Sequence, residues 1–483
     1  MDGALVALAL AHAATRLLFY LAGVRFDAST LPWFWQYLDP AWLSGDLVRS
    51  LWYLHAQPPL FNAFLGLILK LGGGVWMFQA TYFAVGLGLV LALYALMRRL
   101  GVGRGLAFAA ALVYDTSSTA ILYESWLFYP LFEATGLVAA ALFLHRLCES
   151  RRTRDAALFF ACVAALALTR SLFHAVWFAG CAALALAGSR PLRRGAVACC
   201  AMASLAVGGL YAKNAWLFGS PFASSWFGMS LAGLTQRCWP DDELEPLIER
   251  GEVSPLIRIA PFSALDRYPE SIRRAAAPAD IPALRERTRK SGEPNYNHID
   301  YLAISRQYER DAGALIRIDP ARYAFCVRAA LRRYLLPPSD LRFVDANRQS
   351  IAGLDRVYAA LIYGVPNAWR GQPPRADTRS PLTSDPEMCW LWLAAGSLAC
   401  VQAGLVVIRS RKRGTDPRAR ARAVVLGFCL FNVAFVTFVA NAVELGENSR
   451  FRVGIEPILT ALIAFAATQI ARGCRRVAAR PDA

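Results

Sequence analysis

The sequence predicts an all-α polytopic membrane protein: about ten transmembrane helices, outer-face juxtamembrane helices and one large, mainly helical soluble insertion. Three observations predict it. Hydrophobic residues fill 56% of the 483 positions and the mean hydropathy is +0.35, above an ordinary soluble domain. The apolar residues come in long blocks, several long enough to cross a bilayer. The basic residues fall in short clusters between those blocks, as expected of cytoplasmic loops.

That clustering also accounts for the formal charge of +17. A basic chain suggests nucleic acid, but charge confined to the links between apolar blocks builds no nucleic-acid face. Lysine occurs only at Lys70, Lys213, Lys290 and Lys412, so the positive charge is almost all arginine. The 11 cysteines are scattered without CxxC or Cys/His ligand spacing, and most read as small apolar core residues. Cys238 and Cys326 both fall in the soluble segment, where an oxidising compartment lets them pair. The first apolar stretch, Ala4 to Val24, lacks a basic leader and a small-residue cleavage site, and reads as a retained helix.

Blocks able to span lie at 4–24, 75–97, 105–123, 126–145, 155–170, 171–187, 195–212, 388–408, 423–440 and 456–472. Basic links hold Arg98/Arg99/Arg104, Arg146/Arg151/Arg152/Arg154 and Arg190/Arg193/Arg194. Seven basic residues lie in 409–422, and the tail holds Arg472/Arg475/Arg476/Arg480. Ten alternating helices put all five clusters on one side, the cytoplasm, with both termini. Segments 25–57, 114–125, 213–387 and 441–455 then lie outside the inner (plasma) membrane. The expected organisation is a transmembrane module over 1–212, an outer insertion over 213–387 and C-terminal helices over 388–483.

Pro58 to Leu71 breaks the pattern. Its fourteen residues make a helix of about 21 Å, too short for a core of about 30 Å, so it reads as re-entrant or juxtamembrane. Upstream, Leu43, Leu47, Leu51 and Leu54 repeat at helical spacing and predict an interfacial amphipathic helix. Asp39-Pro40 supplies its N-cap and first residue. In the insertion, 300–336 has helical character, Pro-rich turns mark 254–294 and 364–386, and 352–363 reads as another interfacial helix.

Candidate chemistry gathers on the outer side. Asp27, Asp39 and Asp46 lie in the first outer loop, and Asp115 and Glu124 in the second. A carboxylate at a membrane mouth suits a general base, and a second one suits a divalent metal. Equally, Asp39 suits a helix cap, Asp46 a partner for Arg49, and Asp27 a solvated loop. His55, Gln57 and Asn62 surround a rigid Pro58-Pro59 at the entrance of an apolar block, as ligand groups or as polar caps. Arg450 and Arg452 lie outside against the usual bias; a guanidinium there suits phosphate or pairing with Glu444, Glu447 or Glu456. Arg170 and His174 sit one turn apart at the outer junction of two helices, where ionisable groups are costly and often functional.

Together these residues resemble a GT-C glycosyltransferase of the protein-mannosyltransferase-like superfamily, which includes the aminoarabinose transferases of lipid A. The run His55-Ala56-Gln57-Pro58-Pro59-Leu60-Phe61-Asn62 is similar to that family's [HK]-x-[QK]-P-P-L signature. Tyr123-Glu124-Ser125-Trp126-Leu127-Phe128-Tyr129 stands where a second acidic loop motif is expected. Lys213-Asn214, Ser224-Ser225-Trp226 and the 447–452 run also look alike. The resemblance implies inverting transfer of a sugar from a polyprenyl-phosphate donor to a glycan, lipid or protein acceptor on the outer face. It implies Asp39 or Asp27 as base, Glu124 binding a divalent metal such as magnesium or manganese or organising the phosphate, and Arg450 on the leaving phosphate; Arg452, His55, Gln57 and Arg170 are the further candidates for binding the donor. An O-antigen ligase or polymerase would instead rely on His298 and Arg306, and a transporter or lipid flippase on symmetric halves with broken helices.

Overall fold

The computed structural model describes residues 2–188, 194–272, 278, 280–365, 388–412 and 416–478. Helix α1 (Gly3–Leu21) leads to two short helices, α2 (Pro40–Gly45) and α3 (Leu47–Trp52), then to α4 (Leu60–Lys70). There follow α5 (Val75–Leu100), the pair α6 (Arg104–Asp115) and α7 (Ser118–Glu124), α8 (Pro130–Ser150), α9 (Thr153–Thr169), α10 (Ala175–Gly188) and α11 (Arg194–Phe218). The insertion holds α12 (Phe227–Thr235), α13 (Asp241–Glu249), α14 (Pro282–Arg285), α15 (Asp300–Ile318), α16 (Pro320–Tyr334), α17 (Asp345–Ser350) and α18 (Ala352–Tyr358). Helices α19 (Trp390–Lys412), α20 (Pro417–Val443), α21 (Asn448–Val453) and α22 (Glu456–Ala478) close the chain. Among the described residues there is no strand, only two isolated bridges.

Among the described residues seven helices, α1, α5, α8, α11, α19, α20 and α22, are long and apolar enough to cross a membrane; α6 with α7 makes an eighth if their 55° bend lies within one span. The chain is a multi-pass membrane protein. Helices α9, with 17 residues, and α10, with 14, coincide with expected blocks but are shorter than these seven. Large apolar side chains face outward along the long helices, Leu205 at 70% and Phe438 at 72% exposure, as lipid contact requires. Arg190, Arg193, Arg413, Arg480 and most of 364–386 lie outside the described residues.

Two expected helices change shape. The amphipathic stretch 43–54 breaks at Asp46, whose carboxylate accepts the Arg49 amide at 3.1 Å and starts α3 afresh. An aspartate offers the backbone a local partner that competes with helix continuation. Arg49 itself pairs with Asp280 of the insertion rather than with Asp46. The stretch 352–363 becomes α18 plus a π-helical turn, Ala359–Tyr363, closed by Gly364 at φ +68°. It is too short to span. Its Tyr358 and Tyr363 hydroxyls reach Thr116 and Thr119 beside the α6–α7 bend, at 2.7 and 2.9 Å.

The insertion is welded to the membrane part. Helix α16 packs on α20 and α21, and one apolar cluster runs from Leu8 of α1 to Tyr301 and Tyr308 of α15. Buried Arg289 reaches into the loop between α1 and α2 and donates to the carbonyls of Trp33, Phe34 and Tyr37 at 2.7, 2.8 and 3.3 Å. Arg289→Met is therefore expected to cost about 3 kcal/mol by orphaning buried acceptors, read as a lower midpoint in a thermal-inactivation curve. Cys238 and Cys326 form a disulfide across 88 residues. Closing a loop of that size contributes about 4–5 kcal/mol in the chain-entropy view. Cys326→Ser should remove a reducible mobility shift on non-reducing gels and lower the same midpoint.

Candidate anion-binding site

The 54–57 run is held by groups from far along the chain. Asn297 Oδ1 accepts the amides of His55 and Ala56 at 2.9 and 3.0 Å, and its Nδ2 donates to the carbonyls of Tyr53 and Ala283, each at 3.2 Å. Ser224 Oγ donates to the Ala56 carbonyl at 2.5 Å, and Lys213 Nζ to that of Leu54 at 2.7 Å. The His-Ala-Gln-Pro-Pro run thus meets Lys213 and Ser224-Ser225, and this contact presents Gln57 to a cavity. His55 does not join it. Its imidazole is buried, 2.7 Å from Ser225 Oγ. Burial, with Lys213 nearby, lowers its pKa to about 3, so it offers a phosphate no charge at neutral pH.

The cavity, about 750 Å³, lies between the start of α10, the ends of α11 and α20 and the insertion helices α12 and α15. Gln57, Arg170, His174 and Arg450 line it, with aromatic groups such as Tyr211, Phe222 and Trp226, and with Arg306, Glu309 and Glu444. That volume suits a drug-sized ligand.

Arg450 is its most unusual group. The residue is 2% exposed, and its Nε and Nη1 make no hydrogen bond. Its carboxylate neighbours stop short: Glu447 at 3.7 Å and Glu444 at 3.9 Å. Phe128 and Phe451 rings lie 5.0 and 5.4 Å from the guanidinium carbon. Burial works against its charge, but Glu447 and the other neighbours outweigh burial and raise its pKa. Burial also pushes the Glu447 carboxyl up, against the pull of Arg450. A buried donor without an acceptor is costly, and an anion from the cavity would supply one.

Arg170, by contrast, is satisfied: Glu133 accepts from it at 2.7 and 3.0 Å, and Tyr129 and Phe451 flank it. It borders the cavity as half of an ion pair. Arg452 is turned away, with Glu456 at 3.2 Å and the carbonyls of Tyr334 and Leu336 at 3.0 Å.

The expected acids lie elsewhere. Asp39 is 2% exposed; one oxygen accepts the Ala41 amide at 2.8 Å and caps α2, the other the Lys290 amide at 2.6 Å. Of its two readings, the surroundings match the cap. Asp27 is half-buried and accepts the Ser29 amide at 2.8 Å, while its backbone bridges to Trp126 and ties the loop after α1 to the loop after α7. Neither borders the cavity. Glu124 does not fit a divalent metal, because Arg16 donates to both its oxygens at 2.6 and 3.0 Å. Asp115, expected in an open loop, is fully buried at the end of α6, where His12 Nδ1 and Arg16 Nη1 each lie 2.9 Å away. Gly86 makes room for this group: a Cβ there would meet Glu124 Oε2 at 2.2 Å.

His12, Arg16, Arg289 and Asn297 were not singled out by the sequence. Their partners lie about a hundred or more residues away, and no local spacing marks such contacts. No family model, curated protein or solved structure matches this chain.

Proposed function

We propose that the chain is a glycosyltransferase that moves a sugar from a polyprenyl-phosphate donor to an acceptor on the outer face of a cell's inner membrane, with inversion and with both termini cytoplasmic. One observation carries it: the buried guanidinium of Arg450, whose Nε and Nη1 make no hydrogen bond, beside a ligand-sized cavity that opens where membrane helices meet the insertion. A lipid-linked phosphate belongs at that depth, its chain along the outward apolar side chains of α20 and its headgroup among the polar lining.

In the reaction the bond between anomeric carbon and phosphate oxygen breaks, and the electron pair stays with phosphate. The acceptor oxygen bonds to the opposite face of the carbon and gives up its proton. Arg450 offsets the charge that grows on the departing phosphate. Neither Asp39 nor Asp27 reaches the cavity, so we give the proton-accepting role to Glu309 of α15. Glu444 stands beside Arg450, on the leaving-group side. Arg170 with Glu133, and Gln57, shape the headgroup pocket.

A second reading, an O-antigen-ligase-like transferase, draws on Arg306, which borders the same cavity and donates to the Phe218 carbonyl at 2.6 Å and Ser220 Oγ at 3.2 Å. His298 sits instead against Asp300, at 3.6 Å. Membranes carrying the chain, given labelled polyprenyl-phosphate sugars, should label an outer-face acceptor, and a nucleotide sugar alone should not. Transfer only from oligosaccharides on a polyprenyl diphosphate, lost on Arg306→Ala, would favour the ligase; folded protein inert with every lipid-linked donor would sink both.

A further inference from the structure

Two carboxylates lie beside Arg450. Glu447, 15% exposed, lies 3.7 Å from Nε; Glu444, 35% exposed, lies 3.9 Å from Nη2. Neither is at hydrogen-bond distance, and Glu447 is shared with Arg342, whose Nε lies 4.0 Å away. Glu447 is recessed, whereas Glu444 lines the cavity, where any ligand held by Arg450 meets it. The backbone under Glu444 is tied down: its carbonyl accepts Asn448 Nδ2 at 2.8 Å, the Gly446 amide donates to Asn448 Oδ1 at 2.8 Å, and Arg237 donates to the Leu445 carbonyl. A fixed carboxylate beside an anion-binding cation weakens that cation's hold, and weakens it more as the anion's charge rises.

We propose that Glu444 is a specificity residue that disfavours the phosphomonoester product relative to the phosphodiester donor. The inference rests on the transferase reading. A lipid-phosphate sugar is a diester with one negative charge. After transfer the same phosphate is a monoester with about −1.5 to −2 charges at neutral pH and one more free oxygen. Arg450 alone would hold the product more tightly than the donor and slow each turnover at release. Glu444 reverses part of that gain, because its repulsion grows with the same added charge.

The test uses the purified full-length chain in detergent, with binding followed by calorimetry. The probes are farnesyl phosphate, a monoester, and its methyl diester. Glu444→Gln should tighten farnesyl phosphate about tenfold, about 1.4 kcal/mol, and the diester about threefold or less. Glu444→Asp, which keeps the charge, should discriminate as the wild type does and shows whether a folding defect underlies the Gln result. Equal tightening of both probes, or of neither, overturns the proposal. If the wild type binds both, Arg450→Gln abolishes both, and Glu444→Gln spares their ratio, only this inference fails. If the wild type binds neither, the transferase reading falls with it. Inorganic phosphate competing as well as farnesyl phosphate would make this a free-phosphate site and overturn the product role.

Discussion

Arg450→Gln should lower sugar transfer by about 10²–10³-fold, the usual effect of removing one preorganised donor from developing charge. The fold should tolerate the change, because Nε and Nη1 make no hydrogen bond to lose. Glu447 would be left without its nearest cation, but burial already favours its neutral form, so it can take a proton rather than stay buried and charged. Arg450→Lys should recover only part of the rate: an ammonium is a point charge and cannot present two parallel donors. Arg452→Gln makes the contrast. It removes donors from the Tyr334 and Leu336 carbonyls and from Glu456, so folded yield should suffer before rate per folded molecule. Transfer normalised to folded protein, by size-exclusion fluorescence, separates the two. Full rate in Arg450→Gln would end the assignment of this site.

Asn297→Ala should cost stability about 3–5 kcal/mol, since four hydrogen bonds go and the backbone groups of Tyr53, His55, Ala56 and Ala283 lose a buried partner. That is a large part of a typical margin of about 5–15 kcal/mol. Asn297→Asp keeps the acceptor for two amides, loses both donations and adds a buried charge, so it should fare no better. The readout is the midpoint of thermal inactivation in membranes. A midpoint unchanged in Asn297→Ala would mean that the 54–57 run holds its shape without the insertion.

The all-helical, multi-pass character was legible because long apolar blocks are local signals. The split between Arg450 and Arg452 was not. Two residues apart on a helix point to nearly opposite faces, so one short run yields a cavity arginine and a structural one. The i,i+4 pairing of Arg452 with Glu456 could be read ahead; which face meets the cavity depends on how α21 packs on α8, α16 and α20. Asp39 shows the opposite case. Asp-Pro before an apolar stretch is a strong cap signal, and Asp39 does cap α2. Glu124 stood at an expected acidic position, but its surroundings hang on Arg16, 108 residues earlier, and no spacing in the second loop reveals that pairing.

The same pairing has a consequence for how the chain is made. Helix α1 carries His12 and Arg16 into the membrane, but Asp115 and Glu124 emerge from the ribosome only about a hundred residues later. An arginine near the centre of a lone helix costs about 2.5–3.5 kcal/mol during translocon-mediated insertion. Until α6 and α7 are made, α1 carries Arg16 without those two carboxylates, and their arrival supplies its partners.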